Sequence, residues 1–142
     1  MKLGLMNGRV LVMGNARGRA LVSRKAFTFA HGVNPSSGIV TDVRSDIRGM
    51  SVRGRILFYP FGKGSTTASS WFLEAVRLGN NPAAIVTEEI DLSAVIGSVM
   101  AGVVYGKEIP VISGITRAAY AGLKSGDEVF LDAGKGELRA GG

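Results

Sequence analysis

The sequence predicts a mixed α/β domain, and three observations carry that prediction. From residue 55 onward, apolar runs of strand length alternate with runs of helical spacing, the pattern of βαβ crossovers and a parallel sheet. The first third is cut by glycines into short apolar runs and reads as mostly β. At 142 residues, 46% of them hydrophobic, the chain can bury one core, and we expect one domain over residues 1–142.

The elements follow in order. Val10 to Met13 and Arg19 to Val22, on either side of Gly14 to Gly18, predict a hairpin with a glycine-containing loop. A loop around residues 31–38 leads to a strand over residues 39–43, and Gly49 and Gly54 punctuate a polar connection. Residues 55–59 read as a buried strand closed by Pro60. Ala68, Trp71, Phe72, Ala75 and Leu78 then recur at helical spacing until Gly79. A strand over residues 83–87, a helix near residues 92–105 and a strand over residues 111–113 complete the alternation. Residues 128–132 and 137–139, joined by Ala133-Gly134-Lys135-Gly136, predict a last hairpin, with residues 140–142 frayed.

Composition narrows the function classes. There is no cysteine and one histidine, so the chain can form no disulfide, hold no iron–sulfur cluster through thiolates and build no zinc site alone. Apolar stretches such as residues 101–105 fall far short of the ~20 residues that span a bilayer, and the N-terminus lacks a signal-peptide pattern. We therefore expect no membrane contact and a cytoplasmic location. The net charge of +6 is concentrated in the N-terminal half and suggests an acidic partner or anionic substrate. Nucleic acid is not expected, because the basic residues are spread singly and no DNA- or RNA-binding motif is present.

The most informative stretch is Phe61-Gly62-Lys63-Gly64-Ser65-Thr66-Thr67, at the turn between a buried strand and a helix. Glycines 62 and 64 let the backbone approach a ligand, and the first N–H groups of a helix lack intrahelical partners, so an anion or a developing oxyanion is favoured there. Ser65 sits at that electropositive end; Lys63, Gly64 and Thr66 are the candidate substrate-binding residues beside it. The bland reading makes Ser65 or Thr66 a simple helix N-cap.

Other readings of the same residues fare worse. A P-loop needs its lysine after the last glycine and directly before Ser/Thr, whereas Lys63 precedes Gly64. A dinucleotide fingerprint fails at Thr67, which replaces the third glycine. His31 has no identifiable carboxylate partner and reads as a loop or surface residue, while Arg44, Asp46 and Arg48 read as a solvated connection able to meet an anion. Trp71 and Phe72 match the apolar helix face and are expected in the core.

Four motifs, taken together, carry a specific likeness. Phe27-Thr28-Phe29-Ala30-His31-Gly32-Val33-Asn34-Pro35, then Gly49 with Gly54-Arg55-Ile56-Leu57, then Gly62-Lys63-Gly64-Ser65, then Pro82-Ala83-Ala84-Ile85 resemble the aconitase X swivel domain over nearly the whole chain. The resemblance implies a swivelling β/β/α three-layer domain that docks on a separate large subunit of a heteromeric dehydratase. That subunit's cysteines would hold a [4Fe-4S] cluster, and the chain itself would bind no metal. It further implies a hydro-lyase acting on a phosphorylated small molecule: dehydration of (R)-5-phosphomevalonate to trans-anhydromevalonate 5-phosphate in an archaeal mevalonate route to isoprenoids. The family's proton-accepting serine maps onto Ser65.

One departure bears on substrate grip. Ordinary aconitase follows the corresponding serine with Ser-Arg-Glu, and this chain has Thr66-Thr67-Ala68, so the arginine that holds a substrate carboxylate is absent there. Residues 83–136 also look like the phosphohistidine swivel domain of phosphotransfer enzymes, but no histidine stands near Gly97-Ser98-Val99-Met100-Ala101 to carry phosphate. Two alternatives stay open from the sequence: a small subunit of cis-3-hydroxy-L-proline dehydratase, and a non-catalytic partner-binding module.

Overall fold

The computed structural model describes residues 4–141. Eight strands and two helices alternate as β1 (Gly4–Asn7), β2 (Arg9–Val12), β3 (Asn15–Val22), β4 (Ile56–Tyr59), α1 (Ala68–Arg77), β5 (Ala84–Thr87), α2 (Leu92–Tyr105), β6 (Val111–Ser113), β7 (Glu128–Asp132) and β8 (Glu137–Ala140). The strands form one sheet in the order β1-β8-β7-β3-β4-β5-β6-β2. Its two outermost strands, β1 and β2, are consecutive in the chain with only Gly8 between them, so the sheet curls back on itself into a near-barrel.

β3 joins two kinds of pairing. Its first half, Asn15 to Arg19, runs antiparallel to β7, and its second half, Ala20 to Val22, runs parallel to β4. Parallel pairing continues through β4, β5 and β6, the segment whose crossovers are α1 and α2.

Alternation along the central strands sets the layers, because successive side chains point to opposite faces. Ala20, Val22, Ile56, Phe58, Ala84, Val86 and Ile112 face inward and pack with Val129, Leu131 and Leu138 of the antiparallel half. Leu21, Leu57, Tyr59, Ile85 and Val111 face the other way and are covered by Phe72 and Val76 of α1, Ala94 and Ala101 of α2, and Phe27, Phe29, Val33 and Val40 of the long connection. Sheet, folded sheet and helices make the three layers of the expected β/β/α architecture. The strand and helix alternation after residue 55 and the final hairpin stand as expected.

Four expectations need correction. The segments around Val10 and Leu21 form no hairpin: β2 pairs with β6, while β3 pairs with β4 and β7. The two residues between β2 and β3 turn the chain from one end of the sheet's order to its middle, which a hairpin turn does not do. Residues 39–43 form no strand. Val40 makes an isolated bridge to Val33 and Ile39 one to Ser51, and the segment is otherwise held by turns. Ala140 does not fray, since it is buried and pairs with both Gly4 and Val129; Gly142 lies outside the described residues. Finally, Phe72 is core but Trp71 is only half-buried, with its ring centroid 4.4 Å from that of His31.

Candidate functional site

The loop 61–67 leaves the C-terminal end of β4, the place where ligands collect in open parallel sheets. A parallel bridge between Phe27 and Gly62 pins its start: the Phe27 N–H donates to the Phe61 carbonyl (3.1 Å) and the Lys63 N–H to the Phe27 carbonyl (2.9 Å). Gly62 must be glycine, because a Cβ there would stand 2.5 Å from the Asp91 carboxylate. Gly64, at φ +93°, takes a conformation that other residues rarely adopt. These two positions bend the chain so that residues 64–67 face solvent.

Ser65 is exposed just ahead of α1. Its Oγ accepts a hydrogen bond from the Thr67 N–H (3.1 Å) and lies 3.0 Å from the Thr67 hydroxyl. The residue preceding the helix is Thr67, whose side chain makes no capping bond. Ser65 instead makes the bonds of a capping serine, its Oγ accepting from the Thr67 N–H and its carbonyl from the Ala68 N–H (3.1 Å), so it closes the first turn ahead of α1 while keeping its hydroxyl exposed; the Thr66 side chain makes no such bond. Thr66 offers its carbonyl to the Ser69 hydroxyl (3.2 Å). Ser65 thus combines an accessible hydroxyl, two potential donors on its oxygen and the positive end of a helix.

Lys63 is oriented by a partner that the sequence did not single out. Its Nζ sits 2.8 Å from Asp42 Oδ2, with both side chains mostly covered. The Lys63 ammonium, helped by the Arg44 N–H donating to Asp42 Oδ1 (2.9 Å), holds the Asp42 carboxyl below its ordinary range. Around this pair Thr28, Ala30, His31, Asp42, Arg44, Lys63 and Gly64 line a cleft of about 310 Å³. His31, exposed like Arg44 and Gly64 in that wall, adopts φ +57°, the one left-handed non-glycine among the described residues.

A second cleft of about 330 Å³ lies on the other side of the loop, between Phe61 to Gly64 and Glu89 to Ser93. Asp91 organises it. Its Oδ1 accepts from the Ser93 N–H (3.2 Å) and caps α2, and its Oδ2 accepts from the buried Tyr59 hydroxyl (2.7 Å). Burial foremost, and the adjacent Asp91 charge, push the Tyr59 phenol well above its ordinary value. Asp91 therefore ties the end of β4, the start of α2 and the glycine loop together.

The structure brings Lys63, Gly64, Ser65 and Thr66 to one exposed corner, and adds Thr28, His31, Asp42 and Arg44 beside it. Asp46, expected in the same solvated connection as Arg44, instead takes the Ser23 hydroxyl (2.7 Å) and the Arg24 N–H (2.8 Å). Asp42 carried a readable signal, an aspartate whose carboxylate caps the N–H two residues on, which a strand assignment for residues 39–43 obscured. Among the described residues no group of three or more His, Asp or Glu side chains could hold a metal ion, so this chain's own residues do not fit an iron–sulfur cluster.

Comparisons with known proteins agree with this architecture. The family model described as the aconitase X swivel domain matches residues 5–140. A Pyrococcus furiosus protein named phosphomevalonate dehydratase small subunit is 40% identical over 133 residues, covering 94% of this chain and 92% of its own length. A protein of the same name from Thermococcus gammatolerans is also 40% identical, over 94% of this chain and 95% of its own. The crystal structure of Thermococcus kodakaraensis aconitase X in its holo-form superposes with a TM-score of 0.87 at 37% identity, covering 97% of this chain and 98% of that one.

Proposed function

Because the chain belongs to the aconitase X swivel-domain family, we propose that it is the small subunit of a phosphomevalonate dehydratase, a hydro-lyase that removes water from (R)-5-phosphomevalonate to give trans-anhydromevalonate 5-phosphate. The name shared by its relatives supports the substrate, and likeness along almost the full length of each supports the subunit. On this reading the [4Fe-4S] cluster belongs to the large subunit, since this chain has no cysteine thiolate to ligate it. The enzyme works in the cytoplasm; among the described residues no helix is long and apolar enough to cross a membrane.

The observation that carries the reading is the Ser65 hydroxyl, exposed at the corner with the Thr67 N–H on its oxygen. Elimination of water requires a group to take the C–H proton, and serine does so only where its alkoxide is stabilised. The Thr67 N–H and hydroxyl are placed to donate to that charge as it forms, and the start of α1 adds its dipole. Ser65 Oγ, as the alkoxide, accepts the C–H proton and returns to the hydroxyl form while the C–H electron pair becomes the C=C bond and the C–O bond breaks with loss of hydroxide; Lys63, Gly64 and Thr66 position the substrate. Lys63 and Arg44 line the adjoining cleft with His31 and with Asp42, which offsets part of the Lys63 charge, and the positive balance of that wall suits a phosphorylated substrate.

Reconstitution with the large subunit tests the assignment. Ser65→Ala is expected to lower kcat on (R)-5-phosphomevalonate by roughly 10²–10⁴-fold, the usual contribution of a positioned acid or base, with little change in KM. A variant that keeps the wild-type rate removes Ser65 from the reaction.

A further inference from the structure

We propose that the outward face of α2 is the seat of the cluster-bearing large subunit. The inference rests on the subunit reading above and adds to it the surface through which the two chains meet.

An ordinary surface helix turns its large apolar residues inward. α2 does the opposite. Ala94, Gly97, Ser98 and Ala101 face the domain, and the fit is close enough that a Cβ on Gly97 would stand 2.7 Å from the Phe72 ring. The Ser98 hydroxyl donates to the Ile109 carbonyl and is satisfied there. The large side chains lie outside: Leu92, Ile96, Val99 and Val103 recur at spacings of four, three and four, with Leu92 65% and Val103 77% exposed. Met100 and Val104 widen the stripe, and no charged residue occurs anywhere in α2.

The size of this face favours a protein partner. These six side chains are 39–77% exposed, with half-exposed Ile90 just ahead of the first turn, an apolar patch on the order of the several hundred Å² that mark a protein-interaction surface. Exposed Glu89 stands at one end and exposed Lys107 and Glu108 at the other, the polar rim that such patches carry.

Position selects the occupant. Ile90, Leu92 and Ser93 wall the cleft whose opposite wall is Gly62 to Gly64, next to Ser65. A polypeptide that closes over Ser65 to complete the site therefore also lies against the first turn of α2. A second copy of this chain seated on the stripe would obstruct the same cleft.

The test measures affinity of the large subunit for the full-length chain carrying Val99→Glu or Val103→Glu, with Phe130→Glu on β7, as exposed as Val99, as the apolar control. Each α2 variant is expected to bind at least about 30-fold more weakly, because a carboxylate would be buried without a partner; Phe130→Glu is expected to bind as wild type. Circular dichroism melts of the isolated variants should match wild type, since both positions are exposed. Wild-type affinity in the α2 variants, or equal weakening by Phe130→Glu, overturns the proposal. So does a wild-type chain that self-associates through this face while its α2 variants still bind the large subunit. Ser65→Ala separates the two readings: if it leaves turnover intact while the α2 variants lose affinity, the catalytic assignment fails and the docking face stands. A wild-type chain that does not bind the large subunit removes both.

Discussion

Lys63 Nζ and Asp42 Oδ2 stand 2.8 Å apart, a clamp between the serine loop and the turn that follows Val40. The pair leaves Lys63 charged but partly neutralised, and it fixes where the ammonium points. A residue held in this way acts as a directed positive group beside Gly64 rather than as a mobile one.

Asp42→Asn is expected to keep Lys63 charged and to release its head. In the reconstituted enzyme kcat should fall by roughly tenfold through lost positioning, while KM for the phosphorylated substrate stays level or falls because the local positive charge is no longer offset. A rise in KM with kcat preserved would contradict the clamp.

The same pair has a pH signature. Asp42 titrates below its ordinary value in the fold, chiefly through Lys63, so its contribution is fully present above the unfolded-state value near 3.8 and is lost as pH falls through the lower folded one. Urea unfolding of wild type and Asp42→Asn should therefore differ by a constant amount above about pH 5, with the gap closing below pH 4. A gap that closes near neutral pH would point to another group.

Tyr59→Phe removes the hydroxyl that Asp91 Oδ2 accepts from inside the core. A buried hydrogen bond to a charged acceptor contributes about 1.5–3 kcal/mol, and a loss of that order is expected in denaturant titrations. The raised Tyr59 value means that folding favours the neutral phenol, so this part of the stability is intact below about pH 10 and lost as pH rises beyond it. Wild type should accordingly lose stability above pH 10 more steeply than Tyr59→Phe.

Gly62→Ala places a methyl group 2.5 Å from the Asp91 carboxylate. Either the loop or the cap of α2 must shift, at about 1–3 kcal/mol. Turnover is expected to fall further than stability alone accounts for, because the loop that moves carries Ser65. Comparing thermal melts with kcat for the reconstituted pair checks this.

What the sequence revealed, and what it hid, follows from the range of the forces involved. α1, β5, α2 and β6 were readable because their periodicity and their glycine and proline punctuation are local. The partners of β2 and β3 were not, because nothing near Val10 specifies pairing with Ile112, and Arg17 pairs with Phe130 from the far end of the chain. The same holds at the site. Gly62, Gly64 and Ser65 announced a bend with a hydroxyl on it, whereas Asp42 reached Lys63 through a turn whose neighbouring apolar residues, Ile39, Val40 and Val43, imitate a strand. Trp71 was misjudged by helical spacing alone, which marks its face but not that His31 is what lies against it.

The pairing of Gly4 with Ala140 brings the first and last described strands into one ladder. A fold entered and left at neighbouring points can be spliced into a surface loop of a larger polypeptide without being pulled open. Genetic fusion to a companion is thus possible by insertion as well as end to end, with a linker at each border only long enough to clear the seam.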